Sequence, residues 1–411
     1  MLGFFFVSII ETFIHFLILI TRMNTIKAEI NTQKGMKNLG QIKTSTRGFL
    51  APAMYIQGYG EISKLESRTH SYGTKFLAYI DSFLFESFAA RLYGAYQTAS
   101  IVCEPFEGQV SIENSEKYIH IARSGNYDAI IGIGGGRTLD MTKVVANALN
   151  LPLIIVPTSA STDAPTSALS VIYSPAGEHI NEIFYDKGPD LVIVDTEIIA
   201  SAPVRLLVAG MGDALATFFE ARACKESDSQ NNIKGEFKRT LASYAIAKEC
   251  YNVLLQDGLK AKLDAEAGIC SPSMDNIIEA NTLLSGIGAE SNGAAGAHAF
   301  HDGFTALEEC KPYLHGERVA FGVLCQLVLE NRDNSELEQV IRFSLSVGLP
   351  VTLQEIGVLE PTEEKIRTAA KAVLQSPLIL REPLDVTEDT LYHAIRSADR
   401  LGSYHRNRGH Q

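Results

Sequence analysis

The sequence predicts an α/β fold, with a doubly wound, Rossmann-like parallel sheet in its first half and only helices in its second. Short apolar runs rich in β-branched residues alternate with helical patterns over the first half, which is typical of parallel sheets. One of these runs leads through a cluster of glycines directly into a helical pattern. Beyond Pro203 the strand-like runs stop, and one helical stretch follows another.

Short apolar runs are the strand candidates, because they are brief enough to be strands buried on both faces of a sheet. They lie at 75–80, 100–103, 129–131, 151–156 and 191–194. A helical pattern over 83–96 separates the first two. The helices predicted for the second half span 211–224, 236–255, 276–290, 316–331, 336–347, 363–375 and 388–401.

The length of 411 residues suggests two domains. We expect an extension at 1–46, an α/β domain at 47–204 and a helical domain at 205–411. The change from strand-like to helical texture near 201–205 sets the boundary between the two domains.

The composition indicates a globular protein that does not bind nucleic acid. The chain is 46% hydrophobic and 20% charged, which indicates a large core. Its net charge of −12, from 36 Lys and Arg against 48 Asp and Glu, disfavours a polyanionic partner. Six widely spaced cysteines without a CxxC pair indicate reduced thiols, and they argue against a disulfide framework or a cysteine zinc site.

The N-terminus differs from the rest of the chain, since residues 2–20 are nearly all apolar and long enough to span a bilayer. A membrane anchor, an export signal and a translation start assigned too far upstream all remain open. We favour the third, because Met23, Met36 and Met54 offer later starts and everything downstream is typical of a cytoplasmic protein that does not bind membranes. Residues 24–46 are polar and unpatterned, which predicts disorder.

The glycine cluster follows the strand candidate at 129–131. It consists of Gly132, Gly134, Gly135 and Gly136, and a helical pattern begins directly after it. A strand, a glycine turn and a helix N-terminus together present backbone N–H groups to a phosphate, and glycine lets that phosphate approach closely. Since the spacing departs from GxGxxG, a tight turn that serves packing alone remains the alternative.

Two further features are predicted to lie at the carboxyl edge of the same sheet, where ligands bind in such folds. Asp81 follows a strand candidate, and its carboxylate could accept both hydroxyls of an adenine ribose, which would select NAD over NADP; a surface turn aspartate is the alternative. The loop at 156–170, VPTSASTDAPTSALS, contains many hydroxyl groups that could bond phosphate and nicotinamide. Within this loop Asp163 is a candidate to bind a substrate hydroxyl.

The helical half contains a candidate metal site. Asp213 and Thr217 stand one turn apart on a predicted helix, and His298 and His301 share another helix face. His315 opens the next helix. A carboxylate and two imidazoles from different helices suit a divalent ion that keeps open positions for water or substrate, as in a catalytic zinc site.

Five ordered motifs resemble the glycerol dehydrogenases, the zinc-dependent branch of the iron-containing alcohol dehydrogenase superfamily. They are GIGGGRTLDMTK, VPTSASTDAPTSALS, GMGDALATFFEA, AGAHAFHDGF and LHGERVAFG. The similarity runs from about Pro52 to the C-terminus. It implies a dehydroquinate synthase-like arrangement, with an NAD-binding domain, a helical metal-binding domain and the active site in the cleft between them.

The resemblance also implies site residues. Zn²⁺ would be held by Asp213, His298 and His315, and Thr217 replaces a further histidine of the iron-dependent branch. The catalytic group would comprise Asp163, which also contacts the substrate, together with His298 and His301. The NAD contacts would be Asp81, Gly134, Gly135, Gly136, Arg137, Asp140, Thr158, Ser161, Ser167, Leu169 and Tyr173. Many relatives have lysine in place of Arg137.

The implied reaction is the oxidation of glycerol to dihydroxyacetone and its reverse, with Zn²⁺ polarising the C2 alcohol and hydride passing to nicotinamide C4. The implied assembly is a homo-oligomer, often an octamer. A preference for other vicinal diols such as 1,2-propanediol remains open, as does a non-catalytic nucleotide-binding or membrane-tethered protein. A phosphorylated substrate, or the cyclase chemistry of dehydroquinate synthase, is disfavoured because only Lys311 and Arg318 lie near the predicted metal ligands in sequence.

Overall fold

A six-stranded parallel sheet forms the first half of the molecule. The structure, a computed structural model, describes residues 45–174, 177 and 179–408, so the predictions for the apolar N-terminal segment lie outside the described residues. The strands pair in the order β1-β8-β5-β4-β2-β3, and every pair is parallel. They are β1 (Tyr55–Gly58), β2 (Lys75–Asp81), β3 (Ser100–Phe106), β4 (Ala129–Gly134), β5 (Leu153–Pro157) and β8 (Leu191–Asp195).

The central strands are apolar along their whole length because helices cover both faces of the sheet. Every residue of β4, β5 and β8 is buried. Since β2, β4 and β5 are adjacent and parallel, their last residues Asp81, Gly134 and Pro157 meet at one edge. The predicted α/β class, and the predicted edge that collects Asp81 and the glycine turn, are confirmed.

Strand β1 and an antiparallel hairpin were not predicted. Strand β1 pairs with β8 and is only half-buried, so it lacks the apolar run by which the other strands were found. The hairpin joins β6 (Leu169–Tyr173) to β7 (His179–Phe184), and polar residues interrupt both strands, so neither forms a continuous apolar run. The hydroxyl-rich loop therefore ends where β6 begins.

Helices flank the sheet and make up the second half. They are α1 (Leu65–Thr69), α2 (Phe85–Ala95), α3 (Ile112–Gly125), α4 (Gly136–Leu149), α5 (Thr196–Ser201), α6 (Val204–Glu226), α7 (Leu241–Glu266), α8 (Pro272–Glu279), α9 (Ser285–Asn292), α10 (Gly296–Thr305), α11 (His315–Leu329), α12 (Asn334–Val347), α13 (Glu363–Gln375) and α14 (Glu388–Arg408). After β8 the described residues contain helices and turns but no named strand, as predicted. The exact boundary of 204 between two domains stays a prediction.

Helix α6 is the central element of the helical half. Sixteen of its 23 residues are buried, because α7, α9, α10 and α11 all pack against it. A helix that is apolar around its whole circumference belongs in a core. No helix among the described residues is long and apolar enough to cross a membrane.

A π-helical turn interrupts the helix that was predicted over 276–290. It spans Ala280–Leu284, between α8 and α9. Such turns are frequent at functional sites. Here the turn places the Asn281 amide within 2.9 Å of the Ala160 carbonyl, and the Thr282 carbonyl accepts a hydrogen bond of 2.6 Å from the Thr166 hydroxyl. The helical half thereby holds the hydroxyl-rich loop in place.

Candidate active site

Three helices bring one carboxylate and two imidazoles together. Asp213 lies in α6, His298 lies in the first turn of α10, and His315 is the first residue of α11. Their donor atoms all lie within 4.8 Å of one another. The Nε2 atoms of His298 and His315 are 3.4 and 3.1 Å from Asp213 Oδ1. These are the residues that were predicted to hold the metal, and the donor set suits a divalent ion such as Zn²⁺.

Glycines allow these helices to approach so closely. A Cβ on Gly212 would lie 2.3 Å from the Gly316 carbonyl oxygen, and a Cβ on Gly316 would lie 1.8 Å from the Ala209 carbonyl oxygen. Both distances are far below van der Waals contact. Because Gly212 precedes Asp213 and Gly316 follows His315, the backbones meet at two of the predicted ligands.

The buried charges influence one another's titration. Although burial alone raises the pKa of Asp213, His315 and His298 hold it well below its usual range. Burial and the neighbouring Asp213 raise the pKa of Asp163 to about 7. Burial alone lowers the pKa of His298, but the carboxylates of Glu220 and Asp213 raise it well above the usual value. These shifts arise because carboxyl groups and imidazoles lie buried at close range to one another.

Asp163 lies beside this group, in the loop that follows β5. Its backbone N–H donates to Asp213 Oδ2 over 3.3 Å, and its own carboxylate accepts a long hydrogen bond of 3.5 Å from the Ser285 hydroxyl. A Cβ on Gly210 would lie 1.9 Å from the Ala160 carbonyl oxygen, so glycine is needed there for α6 to approach the loop. The structure thus brings the predicted substrate residue to the predicted metal ligands.

His301 and Thr217 occupy different surroundings. His301 Nε2 is 3.0 Å from His315 Nδ1, and His301 Nδ1 is 3.4 Å from the partly exposed Asp302 carboxylate. Burial and the neighbouring His315 keep the pKa of His301 well below its usual value, so this imidazole is neutral. Thr217 faces α9, where its hydroxyl is 2.9 Å from that of Ser285.

The glycine turn forms an open shelf at the sheet edge. Among the described residues, no atom lies within 4 Å of the position that a Cβ on Gly135 would occupy. A Cβ on Gly134 would lie 2.8 Å from Thr138 and 3.1 Å from Asp81. Gly136 begins α4, so its helix N-terminus faces the same shelf. This arrangement fits a pyrophosphate that needs close approach to backbone N–H groups.

Asp81 borders the shelf at the end of β2. Its carboxylate accepts hydrogen bonds from the Phe83 N–H, over 3.1 Å, and from the Thr138 hydroxyl, over 3.4 Å. Thr158, on the other side of the shelf, donates its N–H to the Gly134 carbonyl over 3.1 Å. The strand ends therefore gather these predicted cofactor residues, whose contacts with NAD stay predictions.

The remaining predicted cofactor residues lie on α4, the loop and the hairpin. Arg137 is exposed in the first turn of α4. The hydroxyl of Ser161 is 3.2 Å from that of Ser159. Tyr173 ends β6, and burial raises the pKa of its phenol.

Lys143, which sequence reasoning missed, connects several of these residues. Its buried ammonium donates to Asp140 Oδ1 over 3.0 Å, to the Ser167 hydroxyl over 3.1 Å and to the Leu169 carbonyl over 2.9 Å. Asp140 also accepts the Val171 N–H. The structure therefore places Asp140 in a buried ion pair that joins α4 to the hairpin, and its predicted contact with NAD stays a prediction.

Glu220 was also missed. It lies on the same face of α6 as Asp213 and Thr217, at helical spacings of seven and three residues, and this periodicity was the available signal. Its buried carboxylate is 2.8 Å from His298 Nδ1.

Comparison with known proteins agrees with this architecture. The family model described as iron-containing alcohol dehydrogenase matches residues 52–196. A glycerol dehydrogenase of Citrobacter freundii is 44% identical over 355 residues, which are 86% of this chain and 97% of that protein. A glycerol dehydrogenase of Thermotoga maritima is 43% identical over 358 residues, 87% of this chain and 98% of that protein.

Solved structures extend the agreement to the fold. The crystal structure of glycerol dehydrogenase from Schizosaccharomyces pombe has a TM-score of 0.85 and 33% identity, covering 89% of this chain and 93% of that one. A probable glycerol dehydrogenase from Sinorhizobium meliloti has a TM-score of 0.83 and 42% identity, covering 87% of this chain and 99% of that one. The chain described here therefore belongs to the iron-containing alcohol dehydrogenase family.

Proposed function

We propose that this protein is an enzyme that oxidises glycerol to dihydroxyacetone, and catalyses the reverse reaction, with NAD as the hydride acceptor. The observation that carries the proposal is the meeting of Asp163 with the group Asp213, His298 and His315, at the sheet edge that also holds the glycine shelf. The glycerol dehydrogenases that are 43–44% identical to most of this chain support the same reaction.

The family and these relatives imply NAD(H) and a divalent metal, and we propose that the metal is Zn²⁺. One carboxylate and two imidazoles, with room for a substrate oxygen, are the donors of catalytic zinc sites. Thr217 supports this choice, because its hydroxyl is used by Ser285 and its methyl group lies against α9. A larger histidine side chain at this position would collide with α9, and the Thr217 hydroxyl is already engaged. Position 217 therefore adds no fourth ligand to Asp213, His298 and His315.

When bound, the metal acts as a Lewis acid on the substrate hydroxyl, and NAD supplies the redox chemistry. The protein's own residues orient the substrate and move the proton. The Asp163 carboxylate accepts a hydrogen bond from a second glycerol hydroxyl and thereby presents the reacting carbon. His301, in contact with His315 and with the partly exposed Asp302, offers a path by which a proton can reach solvent.

The cofactor would lie across the carboxyl edge of the sheet. The shelf at Gly134–Gly136 and the N-terminus of α4 would receive the pyrophosphate, while Arg137 adds a positive charge. Asp81 would accept the hydroxyls of the adenine ribose, and its charge would repel a 2′-phosphate, so we expect NAD to be preferred over NADP.

The test is the reduction of NAD⁺ by the purified protein with glycerol, followed by NADH absorbance before and after chelation. We expect the activity to be lost with chelator and restored by Zn²⁺ more fully than by Fe²⁺. Absence of turnover with glycerol and with every vicinal diol would overturn the proposal. Recovery with Fe²⁺ alone would overturn the choice of zinc.

A second candidate substrate class is the other small vicinal diols, such as 1,2-propanediol. One metal ion and one carboxylate can bind two adjacent hydroxyl groups, and glycerol and 1,2-propanediol both have such a pair. Comparison of kcat/KM for glycerol and 1,2-propanediol decides between them.

We also propose that the protein assembles as a homo-oligomer, and that this is an octamer by family resemblance. Light scattering of the purified protein tests the size of the assembly.

A further inference from the structure

The first turn of α10, which carries His298, is held by side chains from three distant parts of the chain. The first N–H groups of a helix have no partner within the helix itself. At the start of α10, side chains accept all of these N–H groups. Glu220 Oε1 accepts those of Ala295 and His298, over 2.9 and 2.8 Å. Glu382 Oε1 accepts that of Gly296 over 2.8 Å, and Gln326 Oε1 accepts that of Ala297 over 3.0 Å. The side chains that accept these bonds are all buried.

Glu220 differs from the other two because it also touches the ring of His298. While Oε1 accepts the two backbone N–H groups, Oε2 lies 2.8 Å from His298 Nδ1. Because the Glu220 carboxyl group already accepts two backbone N–H groups, it serves as the acceptor here, and His298 Nδ1 is the donor. The other ring nitrogen, Nε2, faces Asp213, and a cation that binds there displaces any proton from Nε2 while Nδ1 keeps its own.

From this geometry we propose that Glu220 is a positioning residue for the metal centre, which fixes both the orientation and the tautomer of His298 so that Nε2 binds the ion. The inference rests on the proposed metal site and adds a residue to it. A hydrogen bond to the outer nitrogen of a ligand histidine both orients the ring and makes its metal-binding nitrogen a stronger donor.

The substitution Glu220→Gln tests the proposal because it preserves size but not the pattern of donors and acceptors. If the amide oxygen keeps the backbone contacts, the amide nitrogen donates to His298 Nδ1, and the proton moves to Nε2. If the amide is reversed, its NH₂ group opposes the backbone N–H groups of Ala295 and His298. In the first arrangement His298 has the wrong tautomer for binding the ion through Nε2, and in the second the helix turn that carries His298 is displaced.

The matched control is Glu382→Gln. Glu382 caps the same helix turn, but it contacts the Gly296 backbone rather than a ligand ring. Burial and the neighbouring Glu330 raise the pKa of Glu382 well above its usual value, which favours the neutral carboxyl group that an amide resembles closely. A purely structural role for the capping carboxylates would make the two variants alike.

The measurement is the Zn²⁺ affinity of the full chain, by competition with a chromophoric chelator, together with the melting temperature. We expect Glu220→Gln to weaken Zn²⁺ binding by about 10- to 100-fold and Glu382→Gln to leave it unchanged. Equal affinity of Glu220→Gln and the wild type, or an equal loss in both variants, would overturn the inference. If Glu220→Gln does not fold, Glu220→Asp and Glu382→Asp replace the pair, with the same outcomes expected.

His298→Ala separates this inference from the proposed function. If the wild type binds Zn²⁺ no more tightly than His298→Ala does, the metal site itself is wrong and both proposals fail. If His298→Ala loses Zn²⁺ while Glu220→Gln keeps it, only the role of Glu220 is wrong.

Discussion

At the scale of single residues, Asp213 joins two parts of the candidate site. Its Oδ1 atom faces the imidazoles of His298 and His315, and its Oδ2 atom accepts the N–H of Asp163. A change at Asp213 would therefore disturb the proposed metal ligands and the loop that carries Asp163 at once. Among the described residues, the His298 ring contacts Asp213 and Glu220 but makes no hydrogen bond to the loop, so its side chain can be removed with less effect on the loop.

We predict that His298→Ala lowers kcat with glycerol by at least about a thousandfold, because Lewis-acid stabilisation is worth several kcal/mol. NAD binding should be retained, since the residues of the glycine shelf lie on other elements. The measurements are kcat and the dissociation constant of NADH from fluorescence. The exposed His120 on α3 gives the control, and His120→Ala should keep full activity. Full turnover by His298→Ala would disprove its assignment as a ligand.

The sequence predicted the residues whose chemistry is unusual but not the residues that support them. Histidines within a small-residue stretch and an aspartate in a hydroxyl-rich loop stand out in a sequence. Lys143 and Glu220 do not, because charged residues within helical patterns usually face solvent. Both side chains are buried because of how α4 and α6 pack against other elements. A single sequence does not show which elements pack together.

At the scale of elements, the contact between α6 and α11 determines whether the ligands meet. Gly316→Ala would place a Cβ 1.8 Å from the Ala209 carbonyl oxygen and 3.0 Å from the Asp213 N–H nitrogen. We predict a loss of about 1–3 kcal/mol in the free energy of unfolding, as for other overpacked sites, together with weaker Zn²⁺ binding. Urea unfolding and the chelator competition measure the two effects.

The control for Gly316→Ala is Gly94→Ala, in the exposed part of α2. Among the described residues, no atom lies within 4 Å of the position of its added Cβ. Alanine is the better helix former there by about 0.5–1 kcal/mol, so this variant should be slightly more stable than the wild type. A stable Gly316→Ala variant with unchanged Zn²⁺ affinity would contradict the prediction.

Elements that carry a strong pattern were predicted, and those stabilised by their surroundings were not. The buried strand β4 and the helix α13 lie where the sequence indicated. Strand β1 was missed because pairing with β8, rather than its own hydrophobicity, makes it a strand. The π-helical turn was missed because its extra residue is stabilised by contacts with the distant Ala160 and Thr166.

At the scale of the whole molecule, buried carboxyls give the stability its pH dependence. Burial raises the pKa of Glu290 from 4.5 to about 7, even though its carboxylate accepts the Ala168 N–H. A carboxyl whose pKa is raised by folding favours the folded state when protonated. Its contribution is therefore present below about pH 4.5 and is lost as the pH rises towards 7, by up to about 3 kcal/mol.

We predict that Glu290→Gln becomes more stable relative to the wild type as the pH rises from 5 to 8, as measured by urea unfolding at both values. The amide keeps an acceptor for Ala168 but carries no charge. Glu66→Gln should differ from the wild type by a constant amount between pH 5 and 8, and this difference should shrink only below about pH 4.5. Three backbone N–H groups, those of Ala99, Thr98 and Gln97, lower the pKa of Glu66 to about 2, so its contribution is present above about pH 4.5 and lost below. A difference for Glu290→Gln that does not vary with pH would disprove the assignment.

The capping of α10 also bears on how the protein acquires its metal. Because protein side chains satisfy the backbone of this first turn, the helix does not depend on an ion to hold it. The site is preorganised, so little conformational entropy is lost when a cation enters. This contrasts with zinc fingers, in which metal binding and folding are one event. We therefore expect that one divalent ion can be exchanged for another while the chain stays folded.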